Sequence, residues 1–256
     1  MRAYLLITFC FFIQACSKGF VDAGSNCGLD ENRLGEFVIV PAGKLVDVGI
    51  GVSPSRGVQT LRDIPSFLMQ VNEVTNLEFD RFVSETGYLT DAERSASSGR
   101  LDSGSAVFVS PMAKPGDGST KVNESRDAGW TLSKEATWRT PEGAGSSVED
   151  RALNPVVHVS LNDARAYAEW ADARLPSELE WQHAASLGLF DQEDDTSGAY
   201  SSDGKPRANT WQGVFPLFNT NEDGFRDHAP VGCFDENEIG AVSYTHLRAH
   251  ETRHDL

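Results

Sequence analysis

An α+β chain poor in regular secondary structure is what this sequence predicts, and three observations lead there. Gly and Pro are abundant, 23 and 11 among 256 residues, so much of the backbone is turn and loop. Apolar runs such as "FVIVPAG" (37–43) have strand length and are cut short by Pro41 and Gly43. Three separate places carry the grammar of a helix start, a Ser or Thr with an acidic residue three positions on: Thr75 with Glu78, Ser160 with Asp163, and Ser177 with Glu180.

The chain opens on a targeting segment. Met1-Arg2 brings one positive charge, and Ala3 to Ile13 is an apolar run too short to span a bilayer but suited to a signal h-region. "IQAC" then resembles a bacterial lipobox, with small Ala15 before Cys16, although Gln14 is unusual there. Residues 1–16 therefore read as a lipoprotein-type signal peptide, with Cys16 as the lipidation site and membrane anchor. Ser17, by analogy with lipoprotein sorting, favours the outer membrane of a bacterial cell envelope over the periplasmic face of the inner one. Ordinary secretion with cleavage nearby and a buried N-terminal helix are the alternatives. Residues 17–36 are polar and read as a tether.

Strands follow at 37–43 and in "PSFLMQVNEV" (65–74). In "EVTNLEFDRFVSETGY", Thr75 is the N-cap, Val74 and Phe79 sit at the hydrophobic-staple positions, Phe79, Phe82 and Val83 form one apolar face, and Gly87 is the stop. Residues 91–129 are rich in Ser, Gly and Asp and read as a long surface excursion with one apolar island, "AVFVSPM". "VVHVS" (156–160) reads as a strand, with His158 a satisfied core residue. A helix capped by Ser160 then places Leu161, Ala164, Ala168 and Ala171 along one face. "RLP" breaks it before a second helix capped by Ser177, and Trp170 and Trp181 can pack between the two.

Composition removes several function classes. The net charge is −16, so the clustered cations that phosphate binding needs are missing and nucleic acid is not a partner. No CxxC, HExxH, P-loop or Ser/His/Asp arrangement occurs. Of four cysteines, Cys10 lies in the signal and Cys16 is the lipid site. Cys27 and Cys233 remain, and they could pair in an oxidising compartment, but nothing in the sequence says that they meet.

One stretch resists the element grammar. "ANTWQGVFPLFNTNEDGF" (208–225) has no helical or strand period, yet it keeps Trp211, Phe215, Phe218 and Phe225. By spacing alone it reads as a solvated Asn/Asp loop. Together with "EVTNLEFDRFVSETGYLTDAER" (73–94), "WRTPEG" (138–143), "NPVVHVSLNDARAYAEWADARLPSELEW" (154–181) and "APVG" (229–232), it closely resembles the formylglycine-generating enzyme family, also called sulfatase-modifying factors. The resemblance covers most of residues 37–240 and implies a mixed fold related to C-type lectins. It implies that the 208–225 loop wraps a calcium ion, Ca2+, with side-chain oxygens from Asn209 and Asp223 and backbone oxygens from Thr210 and Phe225. A hard cation taking six to eight oxygens suits such backbone, whose carbonyls no ladder uses up. It also implies that Glu73 contacts the substrate peptide; read alone, Glu73 is a strand-end carboxylate facing water.

The activity implied is oxidation, with molecular oxygen, of a cysteine in a C-x-P-x-R motif of sulfatase polypeptides to Cα-formylglycine. The family does this at a copper(I) ion, Cu+, held by two cysteines, and soft thiolates suit that ion. No such pair occurs in this sequence, so no catalytic residue is assigned. After "NEIG" (237–240) the resemblance stops. The tail "AVSYTHLRAHETRHDL" resembles translated sequencing-adapter read-through, which makes 241–256 non-native and 37–240 a partial domain of a C-terminally truncated member. Its His246, His250 and His254 could instead align on a helix face as a metal-binding cluster. Ala168 and Ala185 stand where some relatives have disulfide cysteines. A non-catalytic, lipid-anchored envelope scaffold of the same fold is the second functional reading. Iron-dependent sulfoxide synthases share the fold but carry a histidine-rich N-terminal domain, and residues 1–72 contain no histidine.

Overall fold

The computed structural model describes residues 27, 33–47, 60–98, 104–109, 129–187, 200–201, 204–236 and 239–240. Cys16, the signal segment and the tail with its three histidines lie outside the described residues. The elements run β1 (Phe37–Val40), β2 (Gly43–Asp47), β3 (Thr60–Ile64), β4 (Phe67–Gln70), α1 (Asn76–Thr86), α2 (Asp91–Ser98), β5 (Ser105–Val109), β6 (Gly129–Ser133), α3 (Leu161–Trp170), α4 (Glu178–Ser186), β7 (Gly213–Val214) and β8 (Phe218–Asn219). Short antiparallel pairs and short helices alternate along the chain, as a mixed α+β domain requires. No helix among the described residues is long and apolar enough to cross a membrane.

Among the described residues every sheet has two strands, and the pair β2–β3 sits inside the β1–β4 pair in chain order. Period-two alternation decides which side of β1–β4 is buried. Val40 and Met69 turn inward, and the directly paired Ile39 and Leu68 face solvent. The inward residues meet Ala184 of α4, with Phe67, Trp181, Leu187 and Ile239 closing around them. The strand predicted at 65–74 is thus confined to Phe67–Gln70.

Helix α1 begins as the sequence predicts. Thr75 Oγ1 accepts the Glu78 N–H at 3.2 Å, and the Glu78 carboxylate accepts the Thr75 N–H at 2.8 Å. Two of the helix's orphan donors are satisfied reciprocally. Gly87 ends it with φ 67°, a left-handed conformation that a residue with a Cβ disfavours. Phe79, Phe82 and Val83 then pack with Trp138 and Tyr167, and Val74 and Trp170 lie against that cluster. The rings of Phe79 and Trp138 meet edge to face at 5.3 Å.

Other expectations are corrected. Residues 156–160 are not a strand: His158 takes φ 57°, which breaks the alternation, and pairing at the segment is a single bridge between Pro155 and Thr75. The excursion at 91–129 contains helix α2 and the strand β5, which pairs with β6. On α3 the buried side chains are Asp163, Tyr167 and Ala168, whereas Leu161 and Ala171 are exposed. Asp163 can be buried because its carboxylate receives the Ser160 N–H, the Asp91 N–H and the Tyr88 hydroxyl. Trp170 joins the Phe82 cluster and Trp181 the Val40 cluster, so they do not pack together between the helices.

Cys27 and Cys233 form a disulfide. Arg33 pairs with Glu236 at 2.8 Å. Both Cys27 and Arg33 belong to the stretch read as a tether, and both are fastened to residues 233–236.

Candidate functional site

Residues 208–234 fold around a buried side chain that sequence reasoning passed over. Gln212 is 2% exposed. Its backbone N–H donates to Asn219 Oδ1 at 3.2 Å, its Nε2 donates to Thr210 Oγ1 at 3.3 Å, and its carbonyl accepts the Thr220 N–H at 2.9 Å. The first two bonds involve side chains and the third joins backbone to backbone; together they do the work that a ladder does in a sheet. A short ladder exists as well, contrary to the expectation of none: β7 and β8 form a two-pair hairpin. Gly213 is required there, since a Cβ would lie 2.7 Å from the Phe218 carbonyl oxygen.

The aromatic residues of the segment pack partly on the loop itself, where Trp211 Nε1 donates to the Phe218 carbonyl at 3.1 Å, and partly on other elements. Phe215 stacks on Phe108 of β5 at 5.4 Å between ring centroids, and Trp211 and Trp130 of β6 each meet Phe108 edge to face at 5.6 Å. Phe225 meets Phe234 at 6.1 Å, and Phe218 is exposed.

Three of the four residues implied as calcium ligands are joined directly. Asn209 Nδ2 donates to Asp223 Oδ2 at 2.9 Å, and the Phe225 N–H donates to Asp223 Oδ1 at 3.0 Å. Asn209 Oδ1 accepts the Ala229 N–H at 3.2 Å. Thr210 is linked to them through Gln212, whose Oε1 accepts the Asp223 N–H at 3.5 Å. Each of the three side-chain oxygens of Asn209 and Asp223 accepts one of these hydrogen bonds and keeps a second lone pair. One carboxylate, one amide oxygen and two backbone carbonyls make an all-oxygen donor set, which fits a hard ion. Among the described residues, no three or more His, Cys, Asp or Glu side chains gather to hold a metal ion. A disulfide offers no thiolate to a soft ion, so Cys27 and Cys233 do not fit a copper(I) centre.

Beside this loop lies a cleft of about 160 Å³ lined by Glu73, Asn209, His228 and Phe234, with Pro155 and residues 229–231. It unites the motif at 73–94 with the motif at 208–225. Glu73 reaches it from the turn that leads into α1, and it is half-buried instead of facing water. His228 is exposed at the cleft mouth, yet protein crowded around its ring lowers its pKa from 6.5; Asp227 opposes that shift and Arg151 adds to it. His158 and His183 are bound elsewhere. His158 Nε2 faces the Pro141 carbonyl at 2.8 Å and must carry the proton, which leaves Nδ1 to accept the Ser105 hydroxyl at 2.6 Å. The residue is satisfied as expected, although half-buried and not in a core strand. His183 Nε2 lies 2.9 Å from the Pro41 carbonyl. Sequence reasoning missed Gln212, His228 and Phe234. For Gln212 a signal existed, a lone amide inside the aromatic run "TWQGVF"; for the other two there was none.

Residues 26–244 match the family described as the Sulfatase-modifying factor enzyme 1-like domain. The chain is 43% identical over 183 residues to the formylglycine-generating enzyme of Thermomonospora curvata, covering 72% of this chain and 57% of that protein. It is 40% identical over 190 residues to the formylglycine-generating enzyme of Bos taurus, covering 74% of this chain and 48% of that protein. Against the formylglycine-generating enzyme of Streptomyces coelicolor it is 40% identical over 206 residues, covering 80% of this chain and 62% of that protein. The chain thus spans between 48% and 62% of the length of these relatives. The matched domain includes both cleft-forming motifs, and the chain belongs to the sulfatase-modifying factor family of formylglycine-generating enzymes.

Proposed function

We propose that the protein is a formylglycine-generating oxidase, which converts the cysteine of a C-x-P-x-R motif in a sulfatase to Cα-formylglycine with molecular oxygen. The observation that supports this reading is the meeting of Glu73 and Asn209 in one cleft. Its size supports a peptide. Pockets for whole small molecules run to about 300–1,000 Å³, and about 160 Å³ suits one side chain of a longer substrate. The motif carries one cation, and the cleft offers it the Glu73 carboxylate, a partner that guanidinium binds well. Pro155, Pro230 and Phe234 give the apolar wall.

Asn209 and Asp223 with the backbone oxygens of Thr210 and Phe225 would hold a calcium ion, whose charge would tie the two ends of the loop together. Asn209 Nδ2 and the Phe225 N–H orient the Asp223 carboxylate for that purpose. A lipid on Cys16 would place the protein on a membrane of the bacterial envelope.

Two measurements test the proposal. The uninterrupted reading frame should encode a paired cysteine motif; its absence ends the oxidase reading. The protein made from that frame should convert a capped C-x-P-x-R peptide to an aldehyde that hydroxylamine traps and mass spectrometry detects. Peptide binding without aldehyde favours a non-catalytic binding protein, and a scaffold of the envelope should show neither.

A further inference from the structure

Asn209 belongs to two constructions at once. Its Nδ2 donates to Asp223 Oδ2 at 2.9 Å inside the oxygen-rich loop. Its Oδ1 accepts the Ala229 N–H at 3.2 Å in the wall of the cleft. The wall has two other ties, both from residues 153–154: Asn154 Nδ2 donates to the His228 carbonyl at 2.7 Å, and the Val231 N–H donates to the Leu153 carbonyl at 2.9 Å. The backbone carbonyl of Asn154 also accepts the Asn76 N–H at 3.0 Å, which joins the same segment to the start of α1 beside Glu73. The cleft is therefore set by a few hydrogen bonds among segments that share no sheet. The tie from Asn209 is the longest of the three on the wall.

We propose that Asn209 is a positioning residue that couples ion binding to peptide binding. The proposal rests on the calcium reading above. An amide oxygen has two lone pairs. Ala229 takes one of those on Asn209 Oδ1, and an ion would take the other. With both filled, the Asn209 side chain loses its remaining torsional freedom, and the ordering cost of the 228–231 wall is met before the peptide arrives. Linkage then requires reciprocity: calcium tightens the peptide and the peptide tightens calcium by one common factor. No atom on the peptide needs to touch the ion.

The test uses the whole chain with calcium chloride. Calorimetry first establishes that calcium binds. Hydrogen exchange then reads the Ala229 amide, with no peptide present, and calcium should slow it at least about five-fold, the lower end of usual site-to-site coupling. A capped Ser-Ala-Pro-Ala-Arg peptide, which carries no reactive thiol, should bind tighter by a similar factor in calcium, and calcium should bind tighter by that factor with the peptide present. Asn154→Ala removes a wall tie without touching an ion donor; it should weaken the peptide and, in the absence of peptide, calcium as well, because both ligands favour the ordered wall. Calcium binding with unchanged Ala229 exchange and unchanged peptide affinity overturns the coupling and leaves the calcium reading standing. No heat of calcium binding removes the calcium reading and this proposal with it.

Discussion

The helical part of the molecule and the 208–234 segment solve one problem by different means. Around α1 and α3, backbone groups are used up inside helices, and the remaining donors go to capping boxes within four residues of each other. Apolar packing then joins the pieces: Phe79, Phe82, Trp138 and Tyr167 leave at most 9% of their surfaces open. In 208–234 a two-pair hairpin covers little of the backbone, and the buried amide of Gln212 with the side chains of Asn209, Asn219 and Asp223 satisfies much of the rest. The first region is stabilised mainly by area removed from water, the second by directional polar contacts and a covalent link. The contrast matters for function, because the second region gathers side-chain oxygens of Asn209 and Asp223 with spare lone pairs in one place.

Substitutions should break this comparison unevenly. Phe79→Ala removes a ring in contact with three others, and a large-to-small change of this kind costs about 3–5 kcal/mol; urea unfolding should show a lower midpoint at unchanged slope. Cys233→Ser should cost about 2–4 kcal/mol through the freed unfolded chain, and thiol reductant should reproduce its melting curve with the unsubstituted protein. Gln212→Leu leaves the Thr210 hydroxyl and the Asp223 N–H without their buried partner, at about 1–3 kcal/mol. Its mark is local: limited proteolysis should cut 208–225 faster and leave 75–90 as resistant as before.

Smaller effects sharpen the helical side. Ser160→Ala removes the side-chain acceptor of the Asp163 N–H and should cost about 1 kcal/mol by thermal melting. At the start of α4, the bidentate Arg174 guanidinium holds the Glu180 carboxyl at about 2, below its ordinary 4.5. A depressed carboxyl gives stability that is complete above the unfolded value and lost as pH falls through the folded one. Here that window runs from 4.5 down to about 2. Arg174 is exposed, so its removal should cost only about 0.2–1 kcal/mol at neutral pH. In Arg174→Ala the acid-side decline should start from lower stability and be shallower.

What could be read from the sequence follows the range of the interactions. The three capping boxes join residues three apart, and all three form. The stripe on α3 was misread because a helical pattern counts an aspartate as outward, while Asp163 is compensated by Tyr88 and Asp91, far along the chain. His158 was misread as a strand residue because three valines in five positions say nothing about a left-handed φ. At the candidate site, Asn209 and Asp223 were legible through motif resemblance and do meet. Their bonds to Ala229 and Gln212 were not, since no spacing rule ties an amide to a backbone group twenty or eleven positions away. Glu73 was placed in its motif, but its neighbours His228 and Phe234 come from the other end of the domain and left no local signal.

The bond between Cys27 and Cys233 has a practical corollary. Glutathione in a bacterial cytosol keeps such thiols reduced, whereas export to an oxidising space closes them. Material purified from cytosolic expression would therefore lack the crosslink beside Phe234, and its cleft would differ from that of the oxidised protein. Any measured peptide affinity thus carries a hidden variable, the secretion route of the sample.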